Sequence, residues 1–135
     1  MATVSYSCPE CRKATQLQVG QSIFGGKLVW HSSYSCTNCG SVVTMDNEGV
    51  PPDYIRYEII KTEGLWHLYI YDENTRQRLI AVQQMRSALN LPFSEVGNIL
   101  KLIPGRVKSG TRTEMEWLKN VLLNNGINVG ILEKK

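Results

Sequence analysis

The sequence predicts an α+β chain in two parts: short strands and turns over residues 1–48, then a small α/β sandwich over residues 49–135 with helices on one face of its sheet. Three observations lead there. Residues 3–46 alternate β-like stretches with turns. Beyond Arg76 the apolar residues recur at helical spacing instead. Between the two lies Asp46-Asn47-Glu48-Gly49-Val50-Pro51-Pro52-Asp53, polar and turn-rich, which continues neither a helix nor a central strand. At 135 residues, two domains would each bury only a limited core, so a covalent or metal staple is expected in at least one.

Composition narrows the class further. With 42% hydrophobic and 20% charged residues and a formal charge of +3, the chain reads as folded, and bulk charge dictates no nucleic-acid partner. No apolar run approaches the ~20 residues of a membrane span. Met1-Ala2-Thr3-Val4-Ser5 lacks the charged-then-apolar pattern of a secretory signal, so a cytoplasmic, non-membrane location is expected. Lys and Arg balance Asp and Glu at three each in residues 1–48 but exceed them, twelve to nine, in residues 49–135.

In the first part, Gln16-Leu17-Gln18-Val19, Lys27-Leu28-Val29-Trp30 and Ser41-Val42-Val43-Thr44 read as strands, with Gly25-Gly26 as a hairpin tip. All four cysteines lie here, as Cys8-Pro9-Glu10-Cys11 and Cys36-Thr37-Asn38-Cys39, with 24 residues between the pairs. That is close to four-cysteine zinc spacing. Two residues between ligands let a tight turn aim both sulfurs at one tetrahedral edge, and Gly40 is free to take the positive φ that closes such a turn. A redox pair would require one motif opening a helix in a βαβ setting. Two disulfides would require an oxidising compartment. His31 is an alternative ligand, or simply a strand residue. Strands delivering a cysteine pair at each of two turns resemble a zinc ribbon, which implies one structural Zn²⁺ held by Cys8, Cys11, Cys36 and Cys39.

In the second part, Tyr54–Ile60 and Leu65–Tyr71 are β-branched and aromatic runs around Glu63-Gly64, and predict a hairpin. Leu79, Val82, Met85 and Leu89 predict an amphipathic helix, with Arg78 and Arg86 projecting away from its core face. Pro92 opens a second helix with Val96, Ile99, Leu100 and Ile103 inward, ended by Pro104-Gly105. A short strand, Arg106-Val107-Lys108, follows. Thr113 and Glu116 predict a capping box for a third helix bearing Met115, Leu118, Val121 and Leu122 on one face. Asn125-Gly126 ends it, and Ile127, Val129 and Ile131 alternate as a closing strand.

The stretch from Leu65 to Glu133 resembles the C-terminal domain of the bacterial ribosomal stalk protein, a fold shared in outline with the Clp protease adaptor. The resemblance rests on Leu79-Ile80-Ala81-Val82-Gln83-Gln84-Met85-Arg86, on Asn90-Leu91-Pro92-Phe93-Ser94-Glu95-Val96, on Ile103-Pro104 and Val107-Lys108-Ser109-Gly110, and on Asn125-Gly126-Ile127-Asn128-Val129. It implies a β-α-α-β-α-β order and a partner-binding face on the first two helices, with Arg78 and Arg86 at matching positions. Gln83 and Gly97 stand where that family carries lysines, and Pro92 where it carries glycine.

A second candidate surface is the run Lys101, Arg106, Lys108 and Arg112, four basic residues without an acidic one, suited to phosphates or an acidic protein surface. Catalysis is not expected. Two histidines fall in separate parts, four bound thiolates leave no cysteine nucleophile, and neither a Walker loop, a dinucleotide fingerprint nor a His-Glu-x-x-His motif is present. The expectation is a non-enzymatic zinc-containing adaptor or regulator that binds a protein, connected with translation or proteolysis. Nucleic-acid or ribosome association and an immunity-type inhibitor are the alternatives.

Overall fold

The computed structural model describes residues 2–134. The expected α+β class is found: the described residues form two antiparallel sheets, of four and three strands, with four α-helices. The chain separates into two compact units, Met1–Gly64 and Leu65–Lys135.

The first unit is a meander, β1 (Ala2–Ser7), β2 (Ala14–Phe24), β3 (Lys27–Ser35) and β4 (Val42–Glu48), each strand paired to the next. Gly25 and Gly26, at φ of 58° and 77°, join Phe24 to Lys27 in a two-residue turn whose twist suits the strands it connects. Then α1 (Asp53–Glu63) lies where a hairpin strand was expected. Its spacing explains the difference: Ile55 and Ile59, four apart and each 1% exposed, join Ala2, Leu17, Val19 and Tyr34 in one core, while Tyr54 and Tyr57 stay outside. Pro52 starts the helix by offering its carbonyl to the Ile55 and Arg56 N–H groups, and Gly64 at φ 95° ends it. Burial of one helical face outweighs the β-propensity of the same residues. The helix therefore belongs to the first unit, and the division falls after Gly64 rather than after residue 48. It also sharpens the charge contrast, since Lys and Arg stand five to six against Asp and Glu in residues 1–64 but ten to six in residues 65–135.

The second unit runs β5 (Trp66–Ile70), α2 (Thr75–Leu89), a 3₁₀ turn (Phe93–Glu95), α3 (Val96–Leu102), β6 (Gly105–Gly110), α4 (Arg112–Asn124) and β7 (Val129–Glu133). Its sheet order is β6-β5-β7. Leu68 and Ile70 of β5 face the helices and share a core with Val82, Met85, Ile99, Met115, Leu118 and Leu122. Asn74 caps α2 by accepting the Arg76 and Gln77 N–H groups, and Asn90 ends that helix in the left-handed region at φ 53°. Leu79, expected in the core, is instead 45% exposed, because Ala81, Val82 and Met85 form the buried stripe.

The capping box of α4 also lies elsewhere than expected. Thr111 Oγ1 accepts the Glu114 N–H at 3.1 Å and Glu114 Oε1 accepts the Thr111 N–H at 3.2 Å, both buried, whereas Glu116 pairs with Arg112 at 2.9 Å. Two overlapping Thr-x-x-Glu patterns occur, and the strand end at Gly110 selects the earlier one. Thr111→Ala is therefore expected to lower the stability of the second unit by about 1 kcal/mol in urea denaturation. Thr113→Ala should leave it within about 0.5 kcal/mol of wild type.

Candidate metal centre

Two turns of the first sheet carry the cysteines, and the backbone builds them alike. Between β1 and β2, the Cys8 N–H donates to the Lys13 carbonyl at 2.9 Å and the Arg12 N–H to the Cys8 carbonyl at 2.7 Å. Between β3 and β4, the Cys36 N–H donates to Ser41 and the Gly40 N–H to Cys36, both at 2.8 Å. Each turn closes through a left-handed residue, Arg12 at φ 62° and Gly40 at φ 79°. Glycine does this without strain, whereas arginine carries a steric cost of roughly 1–2 kcal/mol.

The geometry brings all four thiols together. Cys8 Sγ lies 3.7 Å from Cys39 Sγ, Cys11 Sγ lies 3.6 Å from Cys36 Sγ, and the four sulfurs lie within 4.8 Å of one another. A disulfide requires about 2.05 Å. A tetrahedron with metal–sulfur bonds of about 2.3 Å has edges near 3.8 Å, so the donor set fits one soft, four-coordinate cation. The cysteines are free thiols. His31 is not among these ligands; its ring lies over Gly20, where an added Cβ would meet Cε1 at 2.6 Å.

Local dipoles prepare the thiolates. The Ser41 hydroxyl, 3.2 Å from Cys39 Sγ, and the Ser41 backbone N–H lower the Cys39 pKa to about 6. The Lys13 backbone and then the Asn38 side chain hold Cys11 below the usual thiol value. At Cys36 the Cys39 backbone favours the thiolate, but burial and the neighbouring thiols together outweigh it and raise the pKa. Cys8 and Cys36 are buried and belong to the core of the first unit, which ties the sulfur cluster to the packing of α1.

The basic residues singled out in the sequence fall on different surfaces. Arg78 does not project outward: its Nη2 donates to the Leu100 carbonyl at 2.8 Å, and its Nε is buried, so it ties α2 to the end of α3. Arg86 is exposed, 5.4 Å from the Phe93 ring centre, at a cleft whose apolar lining, Leu79, Val82, Leu91, Phe93 and Val96, is interrupted by Gln83, Ser87 and Asn90. Lys101 is exposed in the last turn of α3. The irregularity between Leu68 and Tyr69 leaves Val107 outside the pairing, placing Lys108 opposite Leu68 beside the helices and Arg106 opposite Tyr69 on the other face. Arg112 stacks over Trp66 at 5.0 Å while holding Glu116. The four cations that are near one another in sequence do not form one strip.

The sequence reading missed the row His67, Tyr69 and Tyr71, which occupies the sheet face away from the core. Its signal is an aromatic residue at every second position. His67 Nδ1 lies 2.5 Å from the Ser109 hydroxyl; burial first, then Arg106 and Lys134, lower its pKa.

No described helix is long and apolar enough to cross a membrane. Comparison of the chain with protein-family models, with curated proteins and with solved structures returns no match.

Proposed function

We propose that the first unit is a zinc ribbon whose metal is structural, and that the chain is a non-enzymatic adaptor or regulator. Four thiolates fill a tetrahedral shell and leave no open position for a substrate or an activated water. Hydrolase, transferase and redox screens should accordingly show no turnover.

The second unit, with its β-α-α-β-α-β order, is proposed to be stalk-like and to dock a protein of the translation or proteolysis machinery across α2 and α3. The observation that carries this proposal is the cleft between those elements. Leu79 and Phe93 remain 45% and 74% exposed beside Val82 and Val96, and Arg86 is the only charged residue in the lining. A cleft of five apolar residues, with Gln83, Ser87, Asn90 and one cation among them, suits an amphipathic segment that presents an acidic residue. Arginine can hold that carboxylate through two hydrogen bonds. Arg78 is excluded from the contact, because its guanidinium serves the α3 carboxyl end.

The test is affinity purification of the tagged, metal-loaded chain from its native cells with nuclease treatment, followed by calorimetry on the recovered partner. Phe93→Ala with Arg86→Ala should weaken binding by tenfold or more, about 1.4 kcal/mol. Unchanged affinity in the folded double variant would refute the cleft.

A further inference from the structure

Among the described residues of the second unit, the helices pack on one face of its sheet and leave the other without a helix of that unit. Parity along the strands sets what the open face presents. On β5 and its extension that face holds His67, which is buried, the half-buried Tyr69 and the exposed Tyr71; opposite them stand Arg106 and Ser109 from β6, and Gly130 and Leu132 from β7. Lys134 follows, its N–H held by the Leu65 carbonyl at 2.8 Å. None of these positions is a carboxylate.

The rings form an ordered row. Tyr69 and Tyr71 are nearly parallel, 6° between planes, with centres 6.3 Å apart, and His67 meets Tyr69 edge-on at 6.5 Å. Gly130 has a role in this. A Cβ there would lie 3.2 Å from the Tyr71 hydroxyl and 3.3 Å from Cε2, so the missing side chain lets the Tyr71 ring lie close over β7. Tyr71 nonetheless stays 47% exposed and Leu132 55% exposed. A tyrosine settled against backbone on one side and open on the other offers a flat π-surface that is already ordered.

Charge indicates what would cover it. Arg106 and Lys134 are exposed, and they are the two charges that act on the His67 ring between them. Asp72, the acidic residue nearest the end of the row, is occupied by the Asn128 N–H at 2.8 Å. Glu133 has the opposite parity, across from Trp66. A face of flat rings edged by cations and lacking carboxylates complements bases joined by phosphates, because any base can stack on a ring while the backbone reaches the cations. An acidic protein segment would meet the cations too, but gives no use for two parallel, outward rings.

We infer that this open face binds single-stranded nucleic acid, with bases stacked on Tyr71 and Tyr69 and phosphates at Arg106 and Lys134. It is a surface separate from the α2–α3 cleft, so its test does not depend on the protein partner.

The measurement is fluorescence anisotropy of the metal-loaded full chain with labelled 12-nucleotide oligo(U) and oligo(dT), and with a duplex of equal length. The single strands should bind more tightly than the duplex. Tyr71→Ala should lose about tenfold in affinity while Tyr71→Phe keeps it, since stacking requires the ring and not the hydroxyl. Lys134→Gln, a change at an exposed position, should reduce the slope of log K against log salt by about 0.7, the loss of one phosphate contact to a single strand. Arg76→Ala, which removes an exposed cation at the start of α2, should change none of these. Single-strand binding weaker than about 10⁻⁴ M, the upper end of non-specific binding, would overturn the inference. So would equal affinity for the duplex, or Tyr71→Ala and Lys134→Gln variants that bind as wild type.

Discussion

Cys36→Ser is expected to leave the first unit unfolded and the second folded. Cys36 is 2% exposed and is at once a member of the sulfur cluster and of the small core beneath α1. Among the described residues, Ala2, Leu17, Val19, Tyr34, Ile55 and Ile59 are buried with the two cysteines, and Val4, Tyr6, Trp30 and Val43 pack partly buried against them, a core too small to stabilise a sheet and a helix unaided. Structural zinc contributes apparent binding free energies of about 10–16 kcal/mol in small zinc domains, as much as the whole stability of an ordinary domain, about 5–15 kcal/mol. Losing one ligand of four removes most of that. Amide exchange should then show unprotected β1–β4 and α1 together with protected β5–β7 and α4. Loss of protection in both units would contradict the independence of the second core. Retained protection over residues 2–63 would contradict the structural role of the metal.

Leu118→Ala should have the reciprocal effect. Leu118 is 1% exposed at the centre of α4, packed among Leu68, Val82, Met115 and Leu122. Truncating a buried leucine costs about 2–5 kcal/mol through lost transfer energy and the cavity left behind. In a unit of some 70 residues that is a large share of the available stability. The second unit should melt at a lower temperature or unfold outright, while the chain should keep the zinc ion proposed for its four cysteines. An unchanged urea midpoint for that transition would show that α4 does not seat on the sheet as described.

The cysteine cluster was legible because its information is local: two Cys-x-x-Cys pairs set the spacing of the sulfurs and Gly40 marks the turn that closes the second, whereas nothing about Arg12 announced the positive φ that closes the first. So were α2 and α4, whose apolar stripes repeat over three or more turns. Residues 54–60 were misleading. Aromatic and β-branched side chains favour a strand, and the four-residue step from Ile55 to Ile59 became decisive only once a sheet existed to receive it. Arg78 was illegible for a different reason: its acceptor, the Leu100 carbonyl, lies 22 residues away and is placed by tertiary packing. The supposed basic strip failed because a strand sends neighbours to opposite faces and an irregular pairing moves Lys108 to the side of the helices. The alternation of His67, Tyr69 and Tyr71 was readable, but which face stays open depends on where the helices settle.

If Cys8, Cys11, Cys36 and Cys39 together hold one structural zinc ion, as proposed, metal stoichiometry combined with cobalt substitution will show it. Native mass spectrometry of the purified chain should show one zinc per molecule, released in step with modification of the four thiols. Replacement by Co²⁺ should give the intense visible bands of a tetrahedral tetrathiolate site. A chain that carries no metal and contains two disulfides, or a cobalt spectrum of an octahedral or oxygen-ligated ion, would contradict the account.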